Sequence, residues 1–279
     1  MSRFPTRLLD TRFIIGSVSA SIVLFAAIFA PWLAPYPPND QDLLNMLMPP
    51  VWVQGGSMEH VLGTDSLGRD TLSRLLYGAR IAMYVAFFAS TGAMLLGAVL
   101  ANLAGYFGGW VDWVISRLVE IWLSFPPVVL SMLLIIGLGI GIDKVILAIV
   151  LVDWTRFCRV LRSDVQVTRR KDYVSFARLI GFSHLRIMTR EILPATMPML
   201  ITLFSLQMGI SVVVEAILSF VSMGVPPNEP GWGQMIADAR MDVYSAPWGL
   251  FLPIAAIFLT VLGFNLLGDG LRRVLDPRQ

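Results

Sequence analysis

The sequence predicts an all-α membrane protein with about six transmembrane helices. Hydrophobic residues make up 56% of the chain and charged residues only 14%, and the mean hydropathy is +0.71. A soluble domain carries about 25% charged residues, so this chain has too few to cover a water-exposed surface. Uncharged apolar runs of about 20 residues, the length that crosses a bilayer core, recur along the chain. A surface that faces lipid does not need charged residues.

The predicted spans follow from these uncharged runs. They cover residues 13–33, 81–103, 121–142, 142–160, 192–214 and 243–268. The fourth span is the least apolar because it contains Lys144, Asp153 and Arg156. The first run is longer than the apolar region of a signal peptide, so we expect a retained helix. The predicted segments are an N-terminal segment 1–12, a first span 13–33, an outer segment 34–80, a core 81–267 with a loop 161–193, and a tail 268–279.

The distribution of basic residues predicts the orientation. Lys and Arg concentrate in the cytoplasmic segments of membrane proteins. With the N-terminus inside, most of the 21 Lys and Arg residues fall in inside segments, and the largest group lies between Arg156 and Arg190. Both termini and the loop 161–193 are therefore predicted to be cytoplasmic, and the segment 34–80 to lie outside.

The loop 161–193 predicts two short helices. Asp172 is a candidate N-cap for the first helix, and Gly181 can interrupt it. Ser183 can cap the second helix, which runs to Pro194. The apolar residues of the first helix share one face: Tyr173, Phe176, Ala177 and Ile180. A helix pair that is apolar on one side and basic on the other could also lie on anionic lipid, and the pattern alone leaves both interpretations open.

This loop resembles the EAA loop of ABC importer permeases, whose pattern is Glu-Ala-Ala, three residues, Gly, and then Leu-Pro at the next helix. Ala177, Gly181, Leu193 and Pro194 match in type and spacing, whereas Ser175 replaces the Glu and Phe176 the first Ala. The resemblance implies a coupling helix that docks in a groove of an ATPase subunit. The residues implied in this coupling are Tyr173, Ser175, Phe176, Ala177, Arg178, Gly181, Leu193 and Pro194. Because Ser175 has no carboxylate, it cannot form the salt bridge that a Glu could form there. Docking would then depend on apolar contacts and Gly181.

The resemblance extends along nearly the whole chain, to the C-type permeases of the dipeptide/oligopeptide/nickel group. The segments that carry it, in order, are 63–80, 105–112, 125–126, 218–224, 231–234 and 269–277. It implies a type I ABC importer permease fold with EAA-type coupling helices, half of a pathway for a peptide-like solute, and alternating access. It also implies a bacterial inner-membrane location, a second homologous permease subunit, two ATP-binding subunits that use ATP and Mg, and an extracytoplasmic substrate-binding protein.

Several activities are disfavoured by the sequence. Neither Lys144 nor Lys171, the two lysines, stands in a Gly-Lys-Ser/Thr setting, so a P-loop is absent and the chain is not predicted to be an ATPase. One cysteine and two histidines do not suggest a metal site, and nothing suggests nucleic-acid binding. We expect no catalytic residue and no cofactor on this chain. We also expect the predicted spans to contact membrane lipid. Alternatives are a secondary transporter, which needs a coupling-ion site, and an intramembrane enzyme, for which no motif is present.

Two further groups of charged residues are candidate site residues. Asp65, Arg69, Asp70 and Arg74 would lie on or beside the polar face of a short amphipathic helix that begins near Ser66. They predict either a contact surface for a substrate-binding protein or a self-satisfied cluster that braces the outer bundle.

Ionisable residues also lie in or near the predicted spans, where a charge is costly. Glu215 has no basic neighbour in sequence, which favours a pathway-facing or helix-bridging role. Asp153 is expected to pair with Arg156, and Glu120 with Arg117, since each pair is three residues apart on a helix.

Overall fold

The computed structural model describes residues 11–226 and 228–275. Most of the predicted N-terminal segment 1–12 and the last residues of the tail 268–279 lie outside this part of the chain. The described residues form ten α-helices, which are α1 (Thr11–Leu33), α2 (Thr71–Phe107), α3 (Gly109–Leu123), α4 (Pro127–Leu138), α5 (Ile142–Thr168), α6 (Asp172–Leu179), α7 (His184–Ile187), α8 (Leu193–Phe220), α9 (Trp232–Ala239) and α10 (Trp248–Leu275). A π-helical turn, Met188–Ile192, joins α7 to α8.

Four helices among the described residues are long and apolar enough to cross a membrane: α1, α2, the continuous helix His184–Phe220, and α10. The pair α3 and α4 gives a fifth span if its two bent halves are counted together. The remaining span predicted from the sequence corresponds to α5, which is 27 residues long but carries several charged residues. The chain is therefore an all-helical membrane protein with at least four apolar spans.

The third predicted span, 121–142, is not one straight helix. Most of its residues belong to the end of α3 and to α4, which meet at an angle of 91°. Pro126 and Pro127 stand at the bend, as the N-cap and first residue of α4. Proline cannot donate a backbone hydrogen bond and disfavours a helical conformation in the preceding residue, so Phe125-Pro126-Pro127 ends α3 and starts a new helix in another direction.

The helix α2 forms the centre of the bundle and packs on α1, α5 and α8. Small residues recur every fourth position on its buried face: Ala89, Ala93, Gly97, Ala101 and Gly105. A Cβ at Gly97 would lie 2.6 Å from the carbonyl oxygen of Trp154, and one at Gly105 would lie 2.6 Å from a Val165 methyl group. The small residues therefore allow α5 to approach the backbone of α2 closely.

The two ends of the bundle differ in construction. At one end, called the α6–α7 end, the short helices α6 and α7 cover the C-terminal end of α2. At the opposite end, called the α9 end, the segment 34–70 and α9 pack against the N-terminal turns of α2. Trp232 of α9 donates a 3.0 Å hydrogen bond from its indole nitrogen to the carbonyl oxygen of Leu75 in α2. A Cβ at Gly78 would lie 2.5 Å from this indole ring, so the missing side chain makes room for Trp232.

Candidate functional site

The helix α6 exposes most of its apolar side chains. Val174 and Ala177 are buried against the bundle, whereas Phe176 is 64% exposed and Leu179 84% exposed. Of the four residues predicted to share a face, only Ala177 is buried, while Tyr173, Phe176 and Ile180 remain exposed. The predicted cap is wrong by one residue, because Lys171 is the N-cap and Asp172 the first helical residue. The outer side of α6 is an apolar surface on which none of the described residues packs.

The turn between α6 and α7 depends on Gly181. Its φ of +85° lies in the left-handed region, which disfavours any residue with a Cβ, although no atom within 4 Å would obstruct one. The glycine is thus needed for backbone conformation and not for space. Ser183 then caps α7, as predicted, by accepting a 3.4 Å hydrogen bond from the Arg186 backbone N–H. Gly181 and Ser183 fix the angle between α6 and α7.

Tyr106, at the C-terminal end of α2, holds both short helices in place. Its hydroxyl lies 2.8 Å from Nδ1 of His184 in α7, and the Arg178 guanidinium of α6 lies 4.9 Å from its ring centroid. The ring is 2% exposed and belongs to a buried cluster with residues of α5, α6, α7 and the π-helical turn: Val165, Val174, Ala177, Ile187 and Ile192. Tyr106 was not predicted as a site residue, because it is far from the loop 161–193 in sequence and follows the apolar run of the second predicted span.

The other predicted coupling residues lie on or beside this helix pair. Leu193 and Pro194 are the first two residues of α8, which continues the helix from His184 through the π-helical turn. Ser175 is exposed on α6. Partial burial, and then the nearby Glu191 carboxylate, raise the pKa of Tyr173 above its ordinary value. The eight residues are thus gathered at the α6–α7 end, with Phe176 the most exposed aromatic residue among them.

A large apolar groove runs along the bundle between α2 and α8. Its volume is about 670 Å³, and it extends from Leu185 and Met188 at the α6–α7 end to Phe87 and Phe204. Three polar residues, Thr91, Asn102 and Thr189, interrupt this apolar lining. The amide nitrogen of Asn102 donates to the Ala98 carbonyl oxygen, while the buried Oδ1 of Asn102 has no hydrogen-bond partner among the described residues. A largely apolar groove of this size is suited to the side of another helix.

A charge network ties the α9 end together. Arg69 donates from Nε to Asp65 Oδ2 at 2.7 Å and from Nη2 to Asp238 Oδ2 at 2.9 Å. Arg74 donates from Nη2 to the same Asp238 oxygen at 3.3 Å. Gln234 donates to the other oxygen of Asp238 at 2.8 Å. Asp238 of α9 therefore joins two arginines that precede or begin α2.

Asp70 also lies at the α9 end, but its carboxylate caps the helix α2. It is the N-cap of α2, where its carboxylate accepts a 2.7 Å hydrogen bond from the Ser73 backbone N–H and lies 3.0 Å from His60 Nδ1. The helix thus begins at Thr71, so the predicted short helix from Ser66 is wrong: residues 71–80 are the first turns of α2. Residues 66–69 form a turn before the helix.

This network is largely turned inward. Arg69 is 7% exposed, Asp70 2% and Arg74 1%. Side chains that are buried against their own chain offer little surface to a partner. The geometry therefore favours the bracing interpretation over the contact surface, which stays a prediction for these four residues.

Glu215 is buried in α8, with 1% exposure, near the loop that leads to α9. Its Oε1 accepts a 2.7 Å hydrogen bond from Ser219, and a Cβ at Gly231 would lie 3.4 Å from the same oxygen. Its Oε2 has no hydrogen-bond partner among the described residues. This position between α8 and the start of α9 favours the helix-bridging role over the pathway role.

The other membrane carboxylates have near neighbours. Asp153 accepts a hydrogen bond from the side chain of Gln207 in α8, and the Arg156 guanidinium donates to the oxygen of the same amide at 3.5 Å. Gln207 therefore connects Asp153 and Arg156, where the sequence predicted a direct pair. Glu120 pairs with Arg117 at the exposed surface of α3, as predicted.

The chain matches two family models. Residues 60–279 match the model of the binding-protein-dependent transport system inner membrane component, and residues 10–50 match the N-terminal transmembrane domain of oligopeptide transport permease C. Similar proteins include a dipeptide transport system permease of Alkalihalophilus pseudofirmus, 38% identical over 95% of this chain and 85% of the relative. A glutathione transport system permease of Pectobacterium atrosepticum is 37% identical over 99% of this chain and 92% of the relative.

The fold is also found in a solved structure. A chain from the crystal structure of an amino acid ABC transporter with histidines aligns with a TM-score of 0.55 at 17% identity, covering 72% of this chain and 94% of the other. At this identity the match supports the type I permease fold alone. The family models and the relatives go further, because they cover most of the chain. The chain therefore belongs to the family of binding-protein-dependent transport system inner membrane components, the permease subunits of ABC importers in which a separate subunit hydrolyses ATP.

Proposed function

We propose that this permease forms half of the translocation pathway for a peptide-like solute and couples to its ATPase subunits through the α6–α7 end. The observation that best supports this proposal is the exposed apolar side of α6, where Phe176, Leu179 and Ile180 are each more than half exposed. An exposed apolar surface on a helix whose opposite side packs against the bundle is typical of an interaction site. An aromatic anchor that inserts into a pocket of the partner gives much of the binding energy in such contacts.

A second permease subunit would complete the pathway. The groove between α2 and α8 supports this, because its lining is largely apolar and it is large enough to take the side of a helix. We propose a heterodimer, in which a homologous permease supplies this helix.

The orientation follows from these assignments. The α6–α7 end and both termini would lie in the cytoplasm, where two ATP-binding subunits use ATP and Mg. The α9 end would lie outside the bacterial inner membrane and face the substrate-binding protein. The basic residues of the α6–α7 end, among them Arg178, Arg186 and Arg190, agree with the preference of Lys and Arg for the cytoplasmic side.

The solute class rests on the relatives. Those named above are permeases for dipeptides and glutathione, and a relative from Pseudomonas aeruginosa is a di/tripeptide transport system permease. Each of these solutes carries a peptide or peptide-like backbone. We therefore propose a di- or tripeptide, glutathione included, as the transported solute.

The test is import into proteoliposomes that contain the complete transporter, with its own binding protein on the outside and ATP inside. A labelled dipeptide and labelled glutathione serve as probes. Import that requires ATP and the binding protein, and that is competed by unlabelled peptide, is the expected result. Import by this chain alone, without ATP, would contradict the proposal and favour a secondary transporter.

A further inference from the structure

The helix α2 connects the two ends of the bundle without a break. It has 37 residues and no internal proline, so at 1.5 Å per residue it is about 55 Å long. Its first turns carry Arg74, which bonds to Asp238 of α9. Its last full turn carries Tyr106, which contacts α6 and α7. A single rigid helix thus touches the proposed ATPase-docking helices at one end and the charge network at the other.

The contacts of Tyr106 differ from those of an ordinary core residue. Its hydroxyl is directed at His184, its ring face receives Arg178, and its edge packs on Phe107 with ring centroids 5.1 Å apart. The two polar partners come from α7 and α6 respectively. A displacement of either short helix must move Tyr106 or break these contacts.

We infer that Tyr106 is the positioning residue through which motion of the α6–α7 pair is passed to α2 and, along α2, to the α9 end. This inference rests on the proposed function, because it takes α6 and α7 to be the ATPase-docking helices. Packed helices transmit a displacement because close-packed interfaces shift between discrete arrangements and do not deform continuously. Tyr106 does not touch solute or nucleotide in this account; it acts through α2.

The hydroxyl and the ring make separable contributions. Tyr106→Phe removes the hydrogen bond to His184 and keeps the ring under Arg178, whereas Tyr106→Leu removes both. One hydrogen bond corresponds to about two- to tenfold in an equilibrium. We therefore expect a partial loss of coupling in Tyr106→Phe and a larger loss in Tyr106→Leu. Tyr84→Phe is the matched control, because Tyr84 is half-exposed on the same helix and contacts Phe88 only through its ring.

The experiment uses the complete transporter in proteoliposomes and reads the two ends separately. Tyr244, fully exposed beyond α9, is replaced by cysteine in a Cys158→Ala background and carries an environment-sensitive fluorophore. The readouts are the amount of ATPase subunit retained, the rate of ATP hydrolysis, and the change in fluorescence when ATP and vanadate are added. None of these readouts needs the identity of the solute.

The expected result is that Tyr106→Leu retains the ATPase subunits and hydrolyses ATP while the fluorescence change falls about tenfold, with Tyr106→Phe losing about threefold. His184→Ala removes the same hydrogen bond and also the imidazole's ring contacts with Tyr106 and Phe107, so its loss should be at least that of Tyr106→Phe. Adding Tyr106→Phe to His184→Ala should cause no further loss, because the hydrogen bond is already absent.

Either of two results would overturn the inference. The first is a full fluorescence change in Tyr106→Leu. The second is a loss of ATPase subunits in proportion to the loss of signal, which would make Tyr106 a packing residue only. An unsubstituted permease that holds no ATPase subunit would instead overturn the proposed function, and the inference with it.

Discussion

Removal of the charge on Asp238 should weaken the α9 end, because this carboxylate holds two buried arginines. The side chains of Arg69 and Arg74 are 8% and 2% exposed, and that of Asp238 is 26% exposed. Asp238→Asn keeps the shape but leaves Asp65 as the remaining counter-charge that contacts both arginines. Breaking a buried pair from one side costs about 3–5 kcal/mol, whereas an exposed pair contributes about 0–1 kcal/mol.

The partial exposure of Asp238 places the expected loss between these limits, at about 2–3 kcal/mol. The assay is thermal unfolding in detergent, followed by tryptophan fluorescence at two heating rates. Asp242→Asn is the matched control, because Asp242 lines the same small cavity and its carboxylate makes no hydrogen bond among the described residues. The control should change stability by less than about 0.5 kcal/mol. Equal midpoints for the two variants would refute the bracing role of Asp238.

Three further predictions concern single positions. Gly78→Ala should lower the unfolding midpoint, because the new Cβ would lie 2.5 Å from the Trp232 ring. The control Gly137→Ala, whose Cβ would have no described atom within 4 Å, should leave the midpoint unchanged or raise it. Similar midpoints for the two variants would contradict the close fit of α9 on α2. Gly181→Val should reduce ATP-driven import more than Gly181→Asn, because asparagine tolerates a positive φ; equal import would show that the turn is not required. Glu215→Gln should retain assembly and import, since the amide keeps an acceptor for Ser219, and loss of import in an assembled variant would instead support a charged pathway role.

The sequence predicted the parts of the site that depend on neighbouring residues. The Ser183 cap and the Gly181 interruption follow from local backbone chemistry, and the structure confirms them. The predicted boundary at Pro194 is not a break, because the helix from His184 continues through a π-helical turn to Phe220. The buried side of α6 was not predicted, because helical spacing groups apolar residues without showing which of them has a partner. Val174 and Ala177, also three apart, are the ones that meet the bundle.

The remaining errors involve distance in sequence or the limits of hydropathy. Asp238 completes the cluster around Arg74 from 164 residues away, and nothing in a single sequence connects them. Tyr106 reaches His184 across 78 residues. The bend between α3 and α4 was not predicted, because an uncharged apolar run does not indicate a change in helix direction. The pair Pro126-Pro127 could have indicated it.

The central claim is that the exposed side of α6 docks an ATPase subunit, and chemical cross-linking tests it most directly. In a Cys158→Ala background, Phe176→Cys and Tyr244→Cys place single thiols at the α6–α7 end and the α9 end. In the complete transporter, a short cross-linker should join the thiol of Phe176→Cys to an ATPase subunit and leave that of Tyr244→Cys unlinked to it. Cross-linking of the ATPase subunit from Tyr244→Cys, or from neither thiol, would contradict the account.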